Sequence, residues 1–169
     1  MKPQEGQYFL IYASPPPPGD MSPEEIMDLE VEGLPVRHLA AQDAVCLMWC
    51  TPSILPRAIA ALEAWGFAYQ THFIWDKQRT GAGSICLNQH ELLLYGSRGN
   101  APVPMKLFPS IFRSERGAHN VKPTVVREMV EAMFPHCNEH TRIELFHRGD
   151  DPVGWTVWRL DALNVEEAA

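Results

Sequence analysis

Three near-continuous apolar runs, residues 8–12 (YFLIY), 44–50 (AVCLMWC) and 143–146 (IELF), constrain the fold of this chain more than any other feature. They lack the strict alternation of a half-exposed strand, and runs of this kind read as strands buried on both faces. Such strands belong in the middle of a sheet with helices above and below. The three are therefore expected side by side at the centre of one sheet.

The segments between them supply the helices and further strands. Ser22-Pro23-Glu24-Glu25 forms a capping box with proline at the first helical position, predicting a helix to about residue 29. Ser53 is placed to cap a helix over 54–65, in which Leu55, Ile59, Leu62 and Trp65 repeat at helical spacing and Gly66 stops the run. Residues 67–77 and 91–95 read as strands joined through the flexible Gly81-Ala82-Gly83. Residues 100–121, with Pro102, Pro104 and Pro109, read as one long loop without periodicity, a kind of loop that is often functional. Pro123 opens a helix through residue 134, residues 155–158 form a closing strand, and a polar tail follows Asp161. Alternating strands and helices in this order predict an α/β fold, with a mostly parallel sheet covered on both faces, in a single domain over 1–169.

Composition narrows the function classes. A hydrophobic share of 46% and a charged share of 21% are those of a soluble globular chain. No apolar run is long enough to span a bilayer, and Met1-Lys2-Pro3-Gln4-Glu5 does not resemble a signal peptide, so a cytoplasmic protein is expected. Cys46, Cys50, Cys86 and Cys137 lack metal-ligand spacing and read as buried free thiols; the histidines are no better spaced, and no metal is predicted. A net charge of −7 argues against gripping nucleic acid by bulk electrostatics. Basic residues do gather locally, with Lys106, Arg113, Arg116 and Lys122 set against Glu115 alone. A phosphate-facing loop, with His119 among its residues, and a merely solvated one are both consistent with that grouping.

The chemistry-bearing motif is Ser14-Pro15-Pro16-Pro17, directly after the first apolar run. Proline fixes φ and has no N–H, so this turn is rigid and its carbonyls stay free to accept hydrogen bonds. In sheets of this class ligands gather at the carboxyl ends of strands. Ser14 and the segment after Phe146 both occupy such ends.

Taken in order, these pieces resemble the N6-adenine methyltransferase family that includes the catalytic subunit of the messenger-RNA adenosine methyltransferase and many bacterial and phage DNA enzymes. The resemblance runs from Tyr8 to about Trp158. It rests on the Ser-Pro-Pro turn, Leu34-Pro35-Val36, residues 39–44, Glu63-Ala64-Trp65-Gly66-Phe67, Trp75-Asp76-Lys77 and residues 88–94 with Gly96-Ser97-Arg98-Gly99. His119, Lys122-Pro123, residues 143–148 and Gly154-Trp155 complete it. It implies a Rossmann-like fold, S-adenosylmethionine (SAM) as methyl donor, and transfer to the exocyclic amino group of adenine in nucleic acid, DNA in preference to RNA. It implies that Ser14, Pro15, Pro16 and Pro17 handle the base and that Lys122, Glu144, Phe146 and Arg148 meet the cofactor. Lys106, Arg113, Arg116 and His119 would face nucleic acid, and a homo- or hetero-dimeric partner is in keeping with the family.

The chain also departs from the family pattern. Ser14 stands where the adenine enzymes carry Asp, and Pro17 where they carry an aromatic that stacks on the base. The loop after Pro17 is short, and Leu160 replaces an amide that helps hold the cofactor. Ser84 and Leu87 replace a Tyr and an Arg near the base. A hydroxyl accepts one amino hydrogen but brings no negative charge to the nitrogen as it alkylates. Three readings therefore stand: an active adenine enzyme, a catalytically silent homologue that binds nucleic acid or a partner, and a methyltransferase for cytosine N4 or a small molecule.

Overall fold

The computed structural model describes residues 5–16, 33–81, 85–115, 117 and 122–159. Among the described residues seven strands form one sheet: β1 (Tyr8–Ala13), β2 (Ala40–Cys50), β3 (Ala68–Gly81), β4 (Asn88–Arg98), β5 (Ile111–Arg113), β6 (Arg142–Leu145) and β7 (Thr156–Trp158). The helices are α1 (Val36–Leu39), α2 (Leu55–Ala64) and α3 (Thr124–Met133). The strand order is β5-β3-β4-β2-β1-β6-β7, which puts the three apolar runs side by side in the middle as expected. Four neighbouring pairs are parallel, and β4 runs antiparallel to both β2 and β3.

The central strands are largely apolar because each face packs under a separate layer. Ile11, Ala13, Cys46, Met48, Cys50, Ile143 and Leu145 join Val36 and Leu39 of α1 and Ala58, Ala61 and Leu62 of α2. The alternate residues Leu10, Tyr12, Val45, Leu47 and Trp49 meet Val126, Met129, Val130 and Met133 of α3, an i, i+3, i+4, i+7 stripe. Fully buried residues such as Leu62, Leu93 and Val130 each stabilise the fold by roughly 1.5–3 kcal/mol.

Helix α2 ends in a Schellman arrangement: Phe67 N donates to the Leu62 carbonyl and Gly66 N to that of Glu63, with Gly66 at φ 88°. It lies so close to β4 that a Cβ at Gly96 would stand 2.7 Å from Leu62 Cδ2. That contact explains a glycine in an otherwise side-chain-rich strand.

Several expectations are corrected. Ser53 does not cap α2: residues 52–54 form a 3-10 turn, and Ser53 Oγ pairs with Thr51 Oγ1 at 3.0 Å. The loop over 100–121 contains β5, whose three residues are too few to leave a periodic signal and which pairs with the outer side of β3. Phe146 lies just beyond β6, at φ 62°, so it begins the exit turn. Cys46, Cys50 and Cys137 are buried free thiols, but Cys86 is exposed. The helix expected over residues 22–29 lies outside the described residues. No described helix is long and apolar enough to cross a membrane.

Candidate functional site

The carboxyl ends of β1, β2 and β6 open on one rim of the sheet. Because β4 is antiparallel to β2, pairing Cys50 with Leu92, its first residues reach the same rim, as do the last residues of β3 and β5. Helix α3 starts at this rim and runs away from it. Arg127, in its first turns, reaches Glu144 near the end of β6, whereas Glu131 reaches Arg142 at that strand's start.

Ser14 and Pro15 are half-buried and Pro16 is buried at the end of β1. The amide of Ser14 donates to the Leu145 carbonyl at 3.2 Å, so the turn abuts the exit of β6. One strand away, Trp49 donates its indole N–H to the Tyr12 hydroxyl at 2.7 Å. Burial raises the Tyr12 hydroxyl far above the ordinary tyrosine range, keeping it a neutral acceptor and donor. The Trp49 ring meets Trp75 edge-on at 5.8 Å and Phe112 at 6.4 Å, forming an aromatic floor beneath the rim.

Two charge clusters stand on this rim. In the first, the Glu91 carboxylate is shared by Lys77 Nζ, 3.3 Å from Oε1, and Lys122 Nζ, 2.5 Å from Oε2. Lys122 also lies over the Trp49 ring at 5.2 Å, and Lys77 over that of Trp75 at 5.9 Å. The Cys50 thiol beside them is pushed up to about 12, by burial first and then by the nearby Glu91 charge, with Lys122 opposing. In the second cluster, Glu144, 4% exposed, accepts from Arg127 through both Nε and Nη2 at 3.0 Å. His147 Nδ1 lies 2.9 Å from the same carboxylate. Phe146 is buried and Arg148 is exposed on the turn that follows.

The remaining candidates separate. Arg113 ends β5 at this rim and pairs with Asp76 at 3.4 Å. Hydrogen bonds from Gln89 and the Gln78 amide, more than Arg113, hold the Asp76 carboxyl below its usual range. Lys106 lies at the other end of the molecule, where the Met105 amide bonds to the Met133 carbonyl at the end of α3; its Nζ stacks on Phe108 at 4.9 Å. Pro17, Ser84, Arg116, His119 and Leu160 lie outside the described residues. An open depression of about 220 Å³ bounded by Ile74, Asp76, Gln89 and His90 is smaller than ordinary ligand sites.

Lys77, Glu91, Trp49, Arg127 and His147 were not among the sequence candidates. The available signal was charge inside apolar elements: Glu91 directly precedes three leucines in β4, and Arg127 follows Val126 in the apolar stripe of α3.

The donor set fits SAM. Two lysines share one carboxylate over an aromatic floor, so the cluster carries a surplus positive charge for a ligand carboxylate. The exit turn of β6 offers polar and apolar groups for a nucleoside.

Comparison with known proteins identifies the family. The MT-A70 family model matches residues 10–160. The type II methyltransferase M.MunI of Mycoplasma sp is 34% identical over 135 residues, covering 78% of this chain and 56% of that protein. A probable N(6)-adenosine-methyltransferase MT-A70-like protein of Oryza sativa subsp. japonica is 28% identical over 166 residues, 89% of this chain and 22% of that protein. An N(6)-adenosine-methyltransferase MT-A70-like protein of Arabidopsis thaliana is 26% identical, across 89% of this chain and 23% of its own length. The chain thus spans just over half of the bacterial relative and about a quarter of each plant one. With nearly its whole length matched, this chain belongs to the MT-A70 methyltransferase family.

Proposed function

We propose that the chain is a SAM-dependent methyltransferase acting on the N6 amino group of adenine in nucleic acid, DNA in preference to RNA. One observation carries the reading: the Ser14 amide bonds to the Leu145 carbonyl, so the rigid Ser-Pro-Pro turn adjoins the cofactor turn after β6. An amino group held at Ser14 would stand beside a methyl donor held by Lys122, Phe146 and Arg148, with Glu144 anchoring that turn. The plant relatives, named as N(6)-adenosine-methyltransferases, support the same chemistry.

When bound, SAM supplies an electrophilic methyl group on a sulfonium. The chain's own work is positioning, which can account for most of a displacement of this kind. The Ser14 hydroxyl and the Pro15 carbonyl accept the two amino hydrogens, fixing the direction of the nitrogen lone pair. Lys122 leaves Glu91 in part to meet a carboxylate, and Lys77 keeps Glu91 paired. The aromatic floor of Trp49, Trp75 and Phe112 excludes water beneath. The target base is extruded from any duplex before it reaches the turn. Arg113, with Arg116 and His119 on the same loop in sequence, would meet the phosphates; Lys106, at the far end of α3, would act only on a longer nucleic acid or a partner.

A second reading, a silent homologue, is favoured by the grip of Glu91 on Lys122 and by the residues Ser14, Pro17 and Leu160. Tritium transfer from labelled SAM to single-stranded oligonucleotides separates the two. Label in adenine with the wild type supports the enzyme. Label in cytosine alone redirects the assignment to cytosine N4. Absence of label in the wild type, with a gain in the Ser14→Asp/Pro17→Trp double variant, supports the silent reading.

A further inference from the structure

The turn that leaves β6 is held by a histidine whose two ring nitrogens both face acceptors. His147 Nδ1 lies 2.9 Å from Glu144 Oε1, and Nε2 lies 2.7 Å from the Asp150 carbonyl. An ionised carboxylate and a carbonyl cannot donate, and a neutral imidazole carries only one N–H. Both contacts are hydrogen bonds at once only when the ring is doubly protonated. The groups around it divide in sign. Glu144 on β6 and Asp150 and Asp151 on the turn are acidic; Arg127 from α3, Arg148 on the turn and Arg159 after β7 are basic. Glu144 is already held by Arg127 through two hydrogen bonds, so His147 does not supply its principal cation. What His147 adds is a bridge from the strand to the far side of the turn.

That bridge spans the residues assigned to the cofactor. The chain turns sharply at Phe146, at φ 62°, and its amide bonds to the Trp158 carbonyl at 2.8 Å. The outer side of the turn is tied by Arg159, which donates to the Gly149 carbonyl at 2.7 Å and pairs with Asp151. His147 ties the inner side.

We propose that His147 is a positioning residue for cofactor binding: by clasping Glu144 to the Asp150 carbonyl it fixes the turn that presents Phe146 and Arg148. This inference rests on the reading that SAM binds at that turn. The clasp is complete when the ring carries both protons, and one of its two bonds is lost when it carries only one. Cofactor affinity should therefore fall when the ring gives up one of the two protons.

The test is calorimetric titration of the full chain with SAM between about pH 5 and pH 8, comparing wild type with His147→Asn and His147→Ala. Asparagine donates one N–H towards Glu144 without titrating. The wild-type affinity should fall by roughly three- to tenfold across the range, the effect of losing one hydrogen bond. The Asn variant should show only the pH dependence of the ligand itself, and the Ala variant should bind more weakly than wild type at the acid end. Nitrogen NMR of the His147 ring, which needs no cofactor, should report two N–H groups at the acid end. Identical pH profiles for wild type and His147→Asn, with both binding, would overturn the clasp alone. A ring that never carries two protons would do the same. Failure of wild type to bind SAM at any pH would overturn the functional reading beneath it.

Discussion

Two carboxylates on this rim, Glu144 and Glu91, are held differently. Glu144 is 5% exposed at its side chain and is served by a two-pronged arginine and a histidine. Its acceptor positions are filled by fixed donors, which suits an anchor for the β6 exit. Glu91 is 14% exposed at its side chain and is shared by two lysines on flexible stems, each lying over an aromatic ring. Its surroundings carry more positive charge than it can neutralise, and a lysine, unlike a planar arginine fork, can leave without breaking a paired geometry. Under the proposed function, the imbalance of charge around Glu91, rather than burial or pairing alone, marks the end of the site that would receive a ligand carboxylate.

The largest expected effect concerns the anchor. Glu144→Ala leaves Arg127 and His147 without their acceptor. Breaking a buried pair costs about 3–5 kcal/mol, and the partial exposure of Arg127 puts this case near 3 kcal/mol. Calorimetry should find the melting temperature lowered by roughly 6–12 °C. A loss of less than about 2 °C would make Glu144 no more an anchor than Glu91.

An intermediate effect separates the dry interior beneath the rim from the charged groups on it. Burial raises the Tyr12 hydroxyl and the Cys46 and Cys50 thiols above their usual ranges, so the folded chain keeps protons that the unfolded chain loses. The sign follows: stability is undiminished below about pH 8.5, the ordinary thiol value, and falls as pH rises through the values raised by folding. Denaturant melts at increasing pH should show this fall, with the Cys50→Ala variant losing less of its stability than wild type over the same interval. An equal slope in both would remove Cys50 from the account.

The smallest effect lies at the outer end of the rim. Asp76 is held low by Gln89, the Gln78 amide and Arg113 on an exposed surface. Its contribution is present above the ordinary carboxylate value and is lost as pH falls through the lowered one. Asp76→Asn should move the melting temperature by no more than about 2 °C at neutral pH. A larger change would give the β3–β5 edge a structural weight like that of Glu144.

The centre of the fold was legible because residues 8–12 and 44–50 are apolar runs and 143–146 is apolar but for Glu144, and only a central strand needs such a run. Helix α3 was legible from the spacing of Val126, Met129, Val130 and Met133. Strand β5 was not, since three residues hydrogen-bonded along an edge need no side-chain pattern. The Ser53 cap was misread because residues 52–54 close a 3-10 turn before α2 begins. In the site, Lys122 and Glu144 could be named from the family order of motifs, while their partners could not. Glu91 and Lys77 come from an antiparallel ribbon, Arg127 from a helix and His147 from a turn, and no local spacing in the sequence brings them together. The separation of Lys106 from Arg113 was hidden for the same reason: the six residues between them, the last two already in β5, carry the chain from the end of α3 to the rim.

The lysine cluster at this rim is proposed to receive the carboxylate of SAM. Titration of SAM into the wild type and into Lys122→Ala, with melting curves for both, tests that role. Saturable wild-type binding, weakened by about 1–3 kcal/mol in the variant, the range for losing a hydrogen bond between charged groups, with little change in melting temperature, is the predicted result. An affinity unchanged by Lys122→Ala, or a wild type that takes up no SAM, would contradict it.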